Sequence, residues 1–153
     1  MASGPLTNLV SLELLSLSNS QNDLRVLDLS HKKQLFPSEK SFVGAFQLQD
    51  HPNMDMTIID ISKNNMHGPI PQNICLIFSN METLKMAKNG LTGCITSCLG
   101  NISSFRVLIL SNNQLSTIKL EQLTELIFLQ LSSNNLCGQI YSSVFSYSTL
   151  DCC

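Results

Sequence analysis

The stretch GLTGCITSCLGNISSFRVLILSNNQLS, residues 90–116, decides the reading of this chain. From Phe105 to Leu115 it follows the frame LxxLxLxxNxL. Slid along the sequence, the same frame fits three further segments: MTIIDISKNNMHGPIP from Met56, METLKMAKNGLTGCIT from Met81 and LIFLQLSSNNLCGQIY from Leu126. A GxI triplet follows the frame in three of the four copies. The frame asparagine falls at Asn64, Asn89, Asn113 and Asn134, at intervals of 25, 24 and 21 residues. Four matches to a long pattern in one register mark an internal repeat of solenoid period.

Each frame position has a physical role. Phe105, Leu108 and Leu110 form the inward side of a short strand, and Leu115 follows after a turn. One such unit cannot bury its apolar side alone. Stacked units bury a continuous column, with strands about 4.7–4.9 Å apart. The asparagine turns the chain out of the strand, and its amide bonds backbone groups of its own and the neighbouring coil that would otherwise be buried without partners. Gly68, Gly93 and Gly138 then permit a tight bend where a Cβ would clash. Between strands, Leu99, Ile102, Phe105 and Leu108 recur every third residue, as do Leu120, Leu123, Leu126 and Leu129. That spacing predicts a convex side of 3₁₀-like or extended segments.

The register is disturbed outside this array. Leu12, Leu15 and Leu17 open one copy, and Leu24, Leu27 and Leu29 open another only 12 residues later. A third partial copy places Phe42, Gly44 and Phe46 in the LxGxI positions and Lys40 in the asparagine position. The expected organisation is therefore degenerate copies over residues 1–53 and a regular array over 54–153, with strands near 56–61, 81–86, 105–110 and 126–131. Leu150 opens a further strand that is cut off, so the sequence reads as an excerpt of a longer array. The third clear copy lacks the glycine and is followed by a short coil.

The frame followed by Gly68-Pro69-Ile70-Pro71, with HGPIPQNICLIFSN and the opening stretch, resembles the plant-specific LxGxIP class of extracellular leucine-rich repeats, and in particular plant receptor-like proteins. The resemblance implies an α/β repeat solenoid: a right-handed coil with a short parallel β-sheet on its concave face and 3₁₀ or irregular convex segments. It also implies a recognition scaffold, part of a plasma-membrane or extracellular receptor that binds peptide or protein signals in defence or development, with a partner kinase as co-receptor. Thr96 and Tyr141 replace the Pro of GxIP, which is expected to weaken a second, smaller strand. Against the family pattern, the N-terminus shows no basic region before its apolar stretch, no run reaches the ~18 apolar residues of a membrane span, and no cysteine-rich cap is visible.

Composition agrees with a binding scaffold. Hydrophobic residues are 43% and charged residues 13%, which excludes a disordered chain. A net charge of −2 offers no basic face for a phosphate backbone, so nucleic acid is not an expected partner. No enzyme is expected, since no nucleophile elbow, phosphate loop or HExxH occurs. Neither cofactor nor metal is implied: His31, His51 and His67 form no metal motif, and the cysteines have no zinc spacing.

Candidate site residues come from the outward positions of the frame. The central concave column reads Asp28, Asp60, Lys85, Ile109 and Gln130, and the next reads Ser30, Ser62, Ala87, Ser111 and Ser132. Beyond lie His31, Lys63, Lys88, Asn112 and Ser133. Neighbouring rungs put Asp60 beside Lys85 and Lys63 beside Lys88, so Asp60, Lys63, Lys85, Lys88, Asn112 and Gln130 are the binding candidates. A solvated sheet face with an ion pair of about 0–1 kcal/mol is the bland alternative. Asn101-Ile102-Ser103 is the one N-x-S/T sequon, placed on the outward convex side. Cys75 takes the core place that Leu99 takes one repeat later, and a Cys75–Cys98 bridge would meet the usual ~5–6 Å Cα separation. Two other functional readings are a soluble inhibitor of secreted wall-degrading enzymes and a non-functional truncated product.

Overall fold

The computed structural model describes residues 25–28, 43–48, 52, 54–118, 123 and 125–137. They form successive coils that lay their strands into two parallel sheets. The first sheet consists of β1 (Val26–Asp28), β3 (Ile58–Asp60), β5 (Thr83–Lys85), β7 (Val107–Ile109) and β9 (Phe128–Gln130), in that spatial order. The second holds β2 (Val43–Ala45), β4 (Asn65–Pro69), β6 (Gly90–Ile95) and β8 (Gln114–Ile118). A one-turn helix α1 (Ile74–Ile77) and a 3₁₀ helix (Ser97–Asn101) run along the convex side. This is the leucine-rich-repeat solenoid that the frame predicts.

The strands form where alternation sets one side inward. In β3, Ile59 is 1% exposed between half-buried Ile58 and Asp60, and Leu84 and Leu108 hold the same place in β5 and β7 at 0%. Backbone bonds continue past the strands: Ile61 N–H donates to Lys85 O at 2.9 Å, Met86 N–H to Ile109 O at 2.9 Å and Leu110 N–H to Gln130 O at 2.8 Å. The inward residues of adjacent coils fuse into one core, in which Met56, Met81, Phe105 and Leu126 share a frame position. On the convex side Leu99, Ile102 and Leu123 point into that core, and Leu129 of the first sheet is partly buried against it.

Four expectations need correction. The second and third partial copies are not separate coils. Val26 pairs directly with Ile58, and Val43 pairs with Asn65 in the other sheet. No coil is inserted between β1 and β3, so Val43–Ala45 is the second-sheet strand of the coil that β1 opens. The second strand is neither smaller nor weakened at Thr96. Strands of that sheet are up to six residues long against three in the first, and β6 reaches Ile95. Thr96 keeps the extended backbone that proline would impose (φ −68°, ψ 135°), and its hydroxyl accepts from Cys98 N as cap of the 3₁₀ helix.

The glycines bend for a different reason from the one expected. A Cβ on Gly68 or Gly93 would meet its nearest neighbour at 3.8 or 3.6 Å, ordinary contact distances. What requires glycine is φ, +84° and +77°. Finally, the missing residue in the third copy is absorbed by a register shift opposite Gly93/Cys94. Ser116 is passed over, and Ile118 comes to stand beside Ile95 instead of Thr117. Several sequence-level assignments lie outside the described residues: the copy at Leu12, together with Ser30, His31, Lys40, His51, Leu120, Gly138, Tyr141 and Leu150.

Cys75 in α1 and Cys98 in the 3₁₀ helix form a disulfide, with Cα atoms 5.9 Å apart. It staples two adjacent coils on the convex side. Closing a loop of sequence separation 23 restricts the unfolded chain by about 3 kcal/mol in the chain-entropy view. Reduction is therefore expected to lower the urea midpoint, read by circular dichroism with and without reductant. Coincident curves would show that the bond adds nothing.

Candidate concave recognition face

Two rows of outward side chains cross the first sheet. Strand register aligns Asp28, Asp60, Lys85, Ile109 and Gln130 as one row. Within it, Lys85 Nζ lies 3.7 Å from Asp60 Oδ2, and Asp60 Oδ1 accepts from Ser62 N at 3.0 Å. Lys85 is 38% exposed, so the pair is worth about 0–1 kcal/mol. Register sets Asp60 between Asp28 and Lys85, so the lysine brings an opposite charge to a row that otherwise holds two adjacent carboxylates.

The second row was missed from the sequence. Val26, Ile58, Thr83, Val107 and Phe128 are register partners two residues before the first row. Period-2 alternation places both rows on the same face. Phe128 is 50% and Val26 48% exposed, and Ile127 beside Phe128 is 77% exposed. Around Val107, Ile109 and Phe128 the face is apolar. Toward β3 and β5 it carries the Asp60–Lys85 pair. Arg106 sits at the border, held by Ser103 O at 2.8 Å and by Glu125 at 3.7 Å.

The row expected next outward is mixed: Ser132 is exposed and Ala87 half-buried, but two of its members are buried. Ser62 is 9% and Ser111 4% exposed, because the chain is already turning inward there. Ser62 Oγ accepts from Ala87 N at 3.2 Å. One residue further, Lys63, Lys88, Asn112 and Ser133 all adopt left-handed backbone, with φ of 57–60°. That geometry swings their side chains to the exposed corner of the coil. Lys63 and Lys88 thus occupy corresponding corners of adjacent coils, as Lys63 N–H donating to Ala87 O at 2.8 Å shows.

Beneath the face runs the asparagine ladder. Asn113 donates to Leu110 O of its own coil at 2.9 Å and to Met86 O of the coil before at 3.0 Å, and its Oδ1 accepts from Leu91 N at 3.0 Å. Asn89 and Asn134 repeat this pattern, with Met66 N and Leu115 N as the bound donors. Asn64 bonds Ile61 O and Ser62 O. No buried side-chain nitrogen or oxygen among the described residues lacks a partner. The ladder fixes each turn, and the turns fix where the face residues point.

Fold and face define a leucine-rich-repeat protein. The Leucine Rich Repeat family profile matches residues 104–126, the stretch from which the frame was read. Its relatives are plant receptor-like proteins. Cuscuta receptor 1 of Solanum lycopersicum is 32% identical over 116 residues, covering 72% of this chain and 10% of that protein. Receptor-like protein 53 of Arabidopsis thaliana is 32% identical over 116 residues, covering 74% and 12%. Among solved structures, the BIR3–SERK2 complex from Arabidopsis thaliana contains a similar chain at 33% identity and a TM-score of 0.56, covering 59% of this chain and 50% of that one. The chain spans about a tenth of the length of the two receptor-like relatives. No helix among the described residues is long and apolar enough to cross a membrane, and no cluster of three metal-ligating side chains occurs among them.

Proposed function

We propose that the first sheet is a docking face for a protein or peptide segment, and that the chain serves as part of a cell-surface recognition scaffold in plant defence or development. The observation that carries this reading is the pair of aligned rows. Strands β7 and β9 present Val107, Ile109 and Phe128 as an apolar anchor site, with Asp60, Lys63, Lys85, Lys88, Asn112 and Gln130 as its polar surround. A half-exposed aromatic bordered by polar groups is the usual make-up of a binding hot spot. The names of the relatives support a receptor role, and a complex between two plant proteins among the similar structures supports a protein partner such as a co-receptor kinase. Recognition of this kind needs no catalytic group. The scaffold positions side chains, and specificity follows from which ones each rung presents.

The test is a peptide-display selection against the folded chain, counter-screened with Phe128→Asp and Ile109→Asp. Both residues point outward, so neither change removes core packing. Enriched peptides are expected to lose about 10- to 100-fold in affinity for either variant, the size of a lost apolar hot spot. Peptides that bind wild type and both variants alike would place recognition elsewhere and overturn the reading.

A further inference from the structure

We infer that Asn101 is the acceptor of an N-linked glycan, carried on the convex side away from the concave docking face. The sequon Asn101-Ile102-Ser103 is the only one in the chain. A sequon alone is a weak signal, and the local geometry is what gives it weight. Asn101 ends the 3₁₀ helix, and Ile102 leaves it in extended backbone (φ −87°, ψ 103°). Side chains therefore alternate: Asn101 is exposed, Ile102 is 5% exposed and faces the core, and Ser103 is exposed. Both side chains that a glycosylating enzyme reads stand on the outer surface, while the unread middle residue anchors the segment.

Asn64, Asn89, Asn113 and Asn134 spend their amides on the coil-to-coil ladder, and Asn80 bonds Met54 O at 3.0 Å. Those amides are engaged in structure, whereas that of Asn101 faces solvent with no side-chain bond to the protein. A second, independent feature points to the compartment in which such a transfer takes place. The Cys75–Cys98 disulfide joins α1 to the same 3₁₀ helix, and disulfides persist in oxidising secretory surroundings. Bond and sequon thus presuppose the same route.

The step uses a lipid-linked oligosaccharide pyrophosphate as donor. The Asn101 side-chain nitrogen forms a bond to the anomeric carbon, the bond from that carbon to the pyrophosphate oxygen breaks, and the pyrophosphate leaves with the electron pair. The displaced amide proton passes to base. No oxidant or reductant is needed.

The experiment routes the full chain through the secretory pathway of a eukaryotic host and measures intact mass before and after enzymatic deglycosylation, with peptide mapping of the attachment. Wild type and Ser103→Thr are expected to carry an oligosaccharide mapped to Asn101. Asn101→Gln and Ser103→Ala are expected to be secreted without it. These positions lie on the surface, so loss of mass will not be confused with loss of fold, which circular dichroism of each variant checks. Wild-type chain secreted with the Cys75–Cys98 bond formed but without added mass would overturn the inference. That result would leave the docking face untouched, since the peptide selection reads the opposite side of the solenoid.

Discussion

Asn113→Ala is expected to lower the unfolding free energy by about 4 kcal/mol. Asn113 is 8% exposed, so its partners have no ready access to water. Truncation leaves Leu91 N–H without its acceptor and Met86 O and Leu110 O without their shared donor. Each buried group so orphaned costs about 1–3 kcal/mol. The loss spans two coils, because one side chain bonds the coil before and its own. Asn113→Asp makes the separate contributions visible. It keeps an acceptor for Leu91 N–H but sets a carboxylate against two carbonyl oxygens, and is expected to be at least as damaging as alanine. Urea titration followed by circular dichroism gives both numbers. If alanine cost less than about 1 kcal/mol, water would be entering the turn and the ladder would not hold the coils together.

The asparagine ladder shows how much of this is readable in the sequence. The frame puts an asparagine in all four copies and assigns its amide to the backbone of two coils. For Asn89, Asn113 and Asn134 the structure shows those bonds in full. What the pattern could not show is how much chain the coil before Asn64 takes up. That coil runs from Val26 to Ile58, longer than the coils that follow it among the described residues, and its sequence offers Lys40 where an asparagine is expected. A template with one fixed period splits such a coil into two partial copies, because periodicity registers leucines and not hydrogen-bond partners.

The face was legible to a similar degree. The frame identified the Asp60–Lys85 row, and the two side chains stand 3.7 Å apart. The row through Val107 and Phe128 escaped because apolar residues invite assignment to the core. Strand alternation was the signal that could have found it: Phe128 is two residues from Gln130 and must share its side of the sheet. Backbone handedness at Lys63 and Lys88 was not legible. Lysine carries no preference for positive φ, and the conformation is imposed by the ladder bonds immediately after it. Local propensity there yields to the neighbouring coil, as it does at Ser62 and Ser111, where a residue type common on surfaces is buried by the turn.

Phe105→Ala is expected to cost about 3–5 kcal/mol, the range for emptying a large aromatic from a close-packed core. Phe105 is 1% exposed and is among the largest of the fully buried side chains. It shares its frame position with Met81 in the coil before and Leu126 in the coil after, so truncation opens a gap between two coil interfaces at once. In a solenoid each coil is stabilised only by its neighbours, and a void in the middle of the array has no other layer to collapse onto it. The effect should therefore appear in the shape of the transition as well as its midpoint. The slope of free energy against urea is expected to fall, because coils on either side of the gap begin to unfold separately and each exposes less surface. Phe105→Leu is the control. Leucine fills the same frame position at Leu126, leaves a much smaller void, and is expected to cost about 1 kcal/mol with the slope preserved. Were alanine and leucine to behave alike, the column from Met56 to Leu126 would not be packed as one core, and the four copies would be stable separately. A steep single transition for leucine beside a shallow one for alanine would show the opposite: the repeat is one cooperative body, and the aromatic at its centre couples the two halves of the concave face.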